Sequence, residues 1–232
     1  MSAIKEGMFV KLYNQIFSTV GPVTLEVVRL LPDSLVLGTA ILAAISMCTS
    51  YGVLLMTMFE IMLSQRIFAN ILGAINPIGA NPATLQGSCL PGFSFPNSMR
   101  VSLLEKVGIP SMFPSPVMFF LASTISYMIS AMQNFNKELK ALSGDIKLRT
   151  NIAVVMSGLF LLAMFMFRYS YGCETFGALL LSMILGTVFG MLLVQQNIAL
   201  FGRAGVNVLN IPMIQTAYEQ GTSMYVCAPS NI

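Results

Sequence analysis

The chain has 232 residues, 56% of them hydrophobic and 9% charged, with a net charge of +3. Globular proteins carry about 25% charged residues, so this balance and a mean hydropathy of +0.78 place the chain in the membrane class before any segment is inspected. There is no histidine, and the four cysteines form no CxxC pair, which argues against a zinc site; the small net charge gives nucleic-acid binding no electrostatic support.

The first thirty-three residues lack a continuous apolar run and carry Glu6, Lys11 and Glu26, so they do not read as a signal peptide. Apolar residues at Ile4, Met8, Phe9, Leu12, Tyr13, Ile16 and Phe17 fall on one helical face. The segment 1–33 is therefore expected to hold an amphipathic helix. It lies either in the membrane interface or against another protein. Gly21-Pro22 ends it, and Pro32-Asp33 reads as a start signal for the first membrane span.

From Ser34 to Leu63 the sequence is unbroken and apolar, with Glu60 as its only charge. A helix of that length would reach about 45 Å, more than a bilayer core of about 30 Å. The first span with its extension is set at 34–66, which puts Glu60 near the headgroups rather than at an ion site. Ala40, Ala44, Cys48 and Gly52 recur every four residues and form a small-residue stripe for helix packing. Cys48 is read as part of that packing rather than as a reactive thiol.

Residues 67–116 are of another kind. Asn76-Pro77, Asn81-Pro82, Pro91-Gly92, Pro96-Asn97, Pro110, Pro114 and Pro116 exclude a continuous helix. Leu90, Phe93, Phe95, Leu103, Leu104 and Val107 argue for order. The reading is an irregular extramembrane lobe with a short helix near Met99 to Val107.

A second span is expected at 117–135, a polar connection at 136–150, and a hairpin of third and fourth spans at 151–201. The turn from Arg168 to Cys173 is too short for any other arrangement of the last two. The fourth span contains Gly186-Thr187-Val188-Phe189-Gly190, extended upstream by Ser182 and Ala178. Ala178, Ser182, Gly186 and Gly190 thus form a packing stripe, used inside the chain or against a second copy in a homo-oligomer. Residues 202–232 make a C-terminal arm.

Four spans would place both ends on one side. Lys5, Lys11, Arg29, the four cations of 136–150 and Arg203 make eight, against four in Arg66, Arg100, Lys106 and Arg168. That favours cytosolic termini. Cys89 and Cys173 then share the opposite side, where an oxidising lumen permits a disulfide between them; the alternative is two unpaired thiols. Cys227 would be cytosolic and free.

Without histidine, and with only Asp33 and Asp145 as aspartates, no span carries a paired carboxylate or an acid–base couple. The expectation is a non-enzyme without cofactor or metal. It is an all-α integral membrane protein of four transmembrane helices with a Pro/Gly/Asn-rich lobe, acting as an anchor or scaffold. A non-catalytic subunit of a cellular membrane complex, or a small transporter using Glu60, are the competing readings.

The tail, Asn207-Val208-Leu209-Asn210-Ile211-Pro212 and Gly221-Thr222-Ser223-Met224-Tyr225-Val226-Cys227-Ala228-Pro229, resembles tails of multi-pass membrane proteins of nucleocytoplasmic large DNA viruses. The four-span layout with a Pro/Asn/Gly-rich loop is similar too. The resemblance implies a structural protein of the virion's internal membrane, drawn from a host endomembrane and contacting minor capsid proteins. It implies no catalytic residue.

Overall fold

The computed structural model describes residues 26–73, 89–90, 92–94, 100–104, 113–135 and 144–208. Among them are five helices long and apolar enough to cross a membrane. They are α1 (Glu26–Ser46), α2 (Thr49–Gly73), α3 (Pro116–Asn134), α4 (Gly144–Ser170) and α5 (Phe176–Gly205). The lobe contributes one antiparallel pair of two-residue strands, β1 (Phe93–Ser94) and β2 (Arg100–Val101), in the register Phe93↔Val101. The short helix expected at Met99 to Val107 is replaced at its start by β2, and helical backbone begins only at Leu103.

The count of five corrects the expected four. The run read as one span, 34–66, is two helices broken at Met47 and Cys48. Met47 adopts φ 49°, in the left-handed region that an L-residue enters at a cost. Hydroxyl chemistry surrounds the break. Ser46 Oγ donates to Leu42 O and accepts from the Cys48 N–H at 3.4 Å. Gly52 N then donates to Cys48 O at 3.2 Å, which starts α2. The run Ser46-Met47-Cys48-Thr49-Ser50 contains neither Gly nor Pro, but its serines and threonine compete with helical hydrogen bonds.

Helix α1 also begins earlier than expected. It runs through Pro32, so Pro32-Asp33 lies inside a helix and does not open one. Similarly α4 begins at Gly144, within the segment read as a polar connection. Helix α5 has a non-helical residue at Gly202, whose φ of 70° suits glycine.

Cross-contacts fix the directions. The first turns of α1 touch the lobe, where Gly92 N donates to Arg29 O at 3.0 Å. The far end of α2 lies at the base of α3, where Gln65 Nε2 donates to Pro114 O at 2.8 Å. The start of α2 lies beside the end of α5, with Val53 Cγ2 3.7 Å from the place a Cβ on Gly205 would occupy. Helices α1 and α2 therefore run in opposite directions. Five helices that each crossed a bilayer would not return the chain to its starting side, so the orientation bias that four spans implied no longer follows.

Helix α3 is the axis of the bundle. Met118, Phe119, Phe120, Leu121 and Tyr127 have no exposed surface. Phe68 of α2, Phe119 of α3 and Phe189 of α5 meet with ring centroids 5.7 Å apart in each pair. Helix α5 packs along α3, and α4 sits outermost. Of the expected amphipathic segment 1–33 and C-terminal arm 202–232, residues 26–33 belong to α1 and 202–205 to α5, while 1–25 and 209–232, with Cys227, lie outside the described residues.

Candidate functional site

Two polar assemblies stand out in so apolar a chain, one at the lobe end of the bundle and one inside it. The lobe end is built on the turn between α4 and α5. Cys89 and Cys173 are joined by a disulfide, with their Cα atoms 5.4 Å apart. Gly172 supplies the left-handed residue (φ 64°) that lets the chain reverse just before Cys173. Arg168 leaves the last turn of α4 and meets the Glu174 carboxylate at 2.8 Å; both are largely buried. Its other nitrogen donates to Cys89 O at 3.4 Å. Glu174 Oε1 also accepts from Ser115 Oγ at 2.8 Å, and Ser115 N donates to Ser182 Oγ at 2.8 Å. One ion pair thus ties α4, α5, the base of α3 and the lobe.

Helix α1 docks on the same end. Arg29 Nε donates to Leu90 O at 3.0 Å, and its guanidinium pairs with Glu26 at 2.9 Å. Asp33 Oδ1 accepts from Leu103 N at 3.0 Å and Leu104 N at 3.2 Å. The carboxylate caps a helical turn of the lobe, which is the chemistry expected of an acidic N-cap. A buried charge is tolerated only when paired and hydrogen-bonded. Here those partners come from segments distant in sequence, so the lobe is fastened to the bundle at several points.

The second assembly lies within the bundle. Asn197 Nδ2 of α5 donates to Thr57 Oγ1 at 2.7 Å and to Tyr127 OH at 3.0 Å. Thr57 Oγ1 in turn donates to Val53 O at 2.7 Å. All three side chains are buried, so this network registers α2, α3 and α5 against one another. One turn further along α2, Glu60 Oε1 accepts from Gln196 Nε2 at 2.7 Å. The break at Met47 shifts α2 along the sequence, so Glu60 sits roughly 16 Å from the start of α2 at 1.5 Å per residue. It is therefore well inside the bundle's depth, not at the boundary expected for it.

The expected packing residues divide sharply. Ala178, Ser182, Gly186 and Gly190 are all buried in the chain. A Cβ on Gly186 would lie 2.7 Å from Phe119 O and 3.0 Å from Ala122 Cβ, and one on Gly190 would collide with Ser123 O. Ser126 Oγ adds a 2.8 Å hydrogen bond to Thr187 O across the same seam. The stripe is filled by α3. The stripe of Ala40, Ala44, Cys48 and Gly52 does not exist as one face, because the helix breaks between its second and fourth members. Ala44 is exposed, and nothing lies within 4 Å of a Cβ on Gly52. Cys48 is disulfide-bonded, so packing is not its only role.

Sequence reasoning missed Arg168 with Glu174, Asp33 as a cap, and Asn197 with Thr57 and Tyr127. The first had a signal: two opposite charges at either end of a short turn in a chain with few charges, beside a cysteine. The Asn197 network had a weaker one, in Gln195-Gln196-Asn197 inside an otherwise apolar span. The Ser115 hydroxyl meets the Glu174 carboxylate, but both are largely buried and the carboxylate is already paired with Arg168; no group of three or more metal-ligating side chains occurs among the described residues. What this arrangement does chemically is hold elements in fixed relation. No protein-family model, no curated protein and no solved structure matches the chain.

Proposed function

We propose that this chain is an integral membrane protein whose role is structural, holding a protein assembly to a bilayer. The observation that carries this reading is the outer surface of α4. Leu148, Ile152, Val155, Met156, Leu159, Leu162 and Met166 are each more than half exposed. The exposed half of α1, with Ile41, Leu42 and Ile45, and Met47 at the break that follows it continue the same pattern. Water-soluble monomers do not carry apolar surface on this scale, and lipid tails are the solvent that suits it. The ion pairs, by contrast, are spent on fastening the lobe to one end of the bundle. A molecule so built presents a braced platform at the membrane surface.

The assembly we favour is a viral protein shell, with the chain in the internal membrane of a virion and minor capsid proteins as its partners. The likeness of the tail to viral membrane proteins supports this step. A non-catalytic subunit of a cellular membrane complex is the competing assignment. Transport through Glu60 is disfavoured, because a conduction path needs a continuous polar file and the buried neighbours of Glu60 on α2, Met58, Ile61 and Met62, belong to the apolar core. The test has two arms. Alkaline carbonate extraction and flotation are expected to leave the full chain with the lipid, and release into the aqueous fraction refutes the membrane role. Cross-linking of the intact assembly is expected to join the lobe or the tail to shell proteins, and cross-links to a cellular enzyme complex refute the viral assignment.

A further inference from the structure

The face shared by α2 and α5 carries polar side chains midway along α2 and two-thirds of the way along α5, within an apolar surface. Gln195 and Gln196 are exposed, and Glu60 is half-exposed beside Gln196. The amide of Gln195 has no hydrogen-bond partner among the described residues. Counted around α5, Gln195 points directly away from the face that buries Gly186, Gly190 and Asn197. Around these groups Met56, Phe59, Leu63, Leu192 and Leu200 are exposed. The outer face of α4 differs: its Ser157 turns the hydroxyl back onto Ala153 O at 2.7 Å.

Taking these helices as membrane spans, as proposed above, the patch lies at mid-depth. Gln195 is roughly 15 Å from the end of α5. A carboxylate and a free amide facing hydrocarbon are costly, and such groups serve as adhesive between helices. We propose that this face binds a second copy of the chain, forming a two-fold dimer across α2 and α5. The patch is complementary to itself. It holds an acceptor in Glu60 and spare donors in Gln195 and Gln196. A two-fold axis along the membrane normal places every residue at the depth of its own copy, so donors on one protomer meet the acceptor on the other without adjustment. The small-residue stripe, already filled by α3, plays no part in this contact.

The test uses the full chain carrying a fluorescent tag, reconstituted in phosphatidylcholine liposomes at a series of protein-to-lipid ratios. Energy transfer between donor-tagged and acceptor-tagged copies reads the association. The wild type is expected to dimerise. Gln195→Leu with Gln196→Leu is expected to weaken dimerisation about tenfold or more. Val155→Leu on the outer face of α4 is expected to leave it unchanged. Retention of the Cys89–Cys173 bridge in both variants shows that the fold persists; a Gln195→Leu single variant with the bridge intact replaces the double one if it is lost. A wild type that stays monomeric in floated liposomes overturns the dimer alone, and indicates a helix of another protein as the occupant. Unchanged association in the variant also overturns it. Failure to float overturns the membrane reading and the dimer with it.

Discussion

Replacing Gly190 by alanine tests the α3–α5 seam at its closest point. The new Cβ would collide with Ser123 O and lie 3.0 Å from both Ser123 C and Ser123 Cα. These are backbone atoms that no rotamer change can remove, so the two helices must separate. Separation loosens the Ser126–Thr187 hydrogen bond and the ring cluster of Phe68, Phe119 and Phe189, which sit on the same seam. Overpacking of a well-packed interior costs about 1–3 kcal/mol, against which alanine returns about 1 kcal/mol of helix propensity. The expected net loss for Gly190→Ala is about 0–2 kcal/mol. Gly158 in α4 is the control, since nothing lies within 4 Å of a Cβ there. Gly158→Ala is expected to be neutral or to stabilise by about 0.5–1 kcal/mol. The assay is reversible unfolding of the detergent-solubilised protein by SDS, followed through loss of helicity. If Gly190→Ala proves as stable as Gly158→Ala, the close approach of α3 and α5 is wrong.

Three further outcomes are expected. Replacing Cys89 and Cys173 together by serine opens a loop with 84 residues of sequence separation and should lower stability by about 2–4 kcal/mol. Peptide mapping without reductant checks the bond itself, and two free thiols in the wild type would refute it. Arg168→Met strands the Glu174 carboxylate and should cost about 3–5 kcal/mol, while adding Glu174→Met should recover much of the loss. A double-mutant cycle on thermal unfolding that returns no coupling would remove the ion pair from the account. Asn197→Leu deprives Thr57 and Tyr127 of their shared donor and should cost about 0.6–2 kcal/mol, measured by the same SDS titration; an unchanged midpoint would show that the network does not register the helices.

The helices were legible where one physical signal acted alone. Continuous apolar sequence located α3 at almost its true bounds, and the Gly/Ser/Ala repeat of α5 marks the face that packs. The break at Met47 was not legible, because apolarity says where a helix can reside and not whether it continues. Ser46, Thr49 and Ser50 held the contrary signal, and it is weak beside thirty apolar residues. That single miss displaced the rest: it put Glu60 at the boundary, made one stripe out of residues on two helices, and placed both termini together. The tertiary anchors Arg29, Asp33 and Gln65 bind backbone groups, which leave no trace in residue type.

The central position of α3 also bears on how the chain is made. It has the lowest mean hydropathy of the five helices, 1.2, against 2.3 for α5. It brings Ser123, Thr124, Ser126 and Tyr127 into the bundle, yet its main partner, α5, follows it in the chain only after α4. If these helices are inserted into a membrane during synthesis, as proposed above, α3 would have its hydroxyls facing lipid or the translocation machinery until α5 follows to enclose it. Truncation after α3 but before α5 would strand that helix and offer cellular quality control a target.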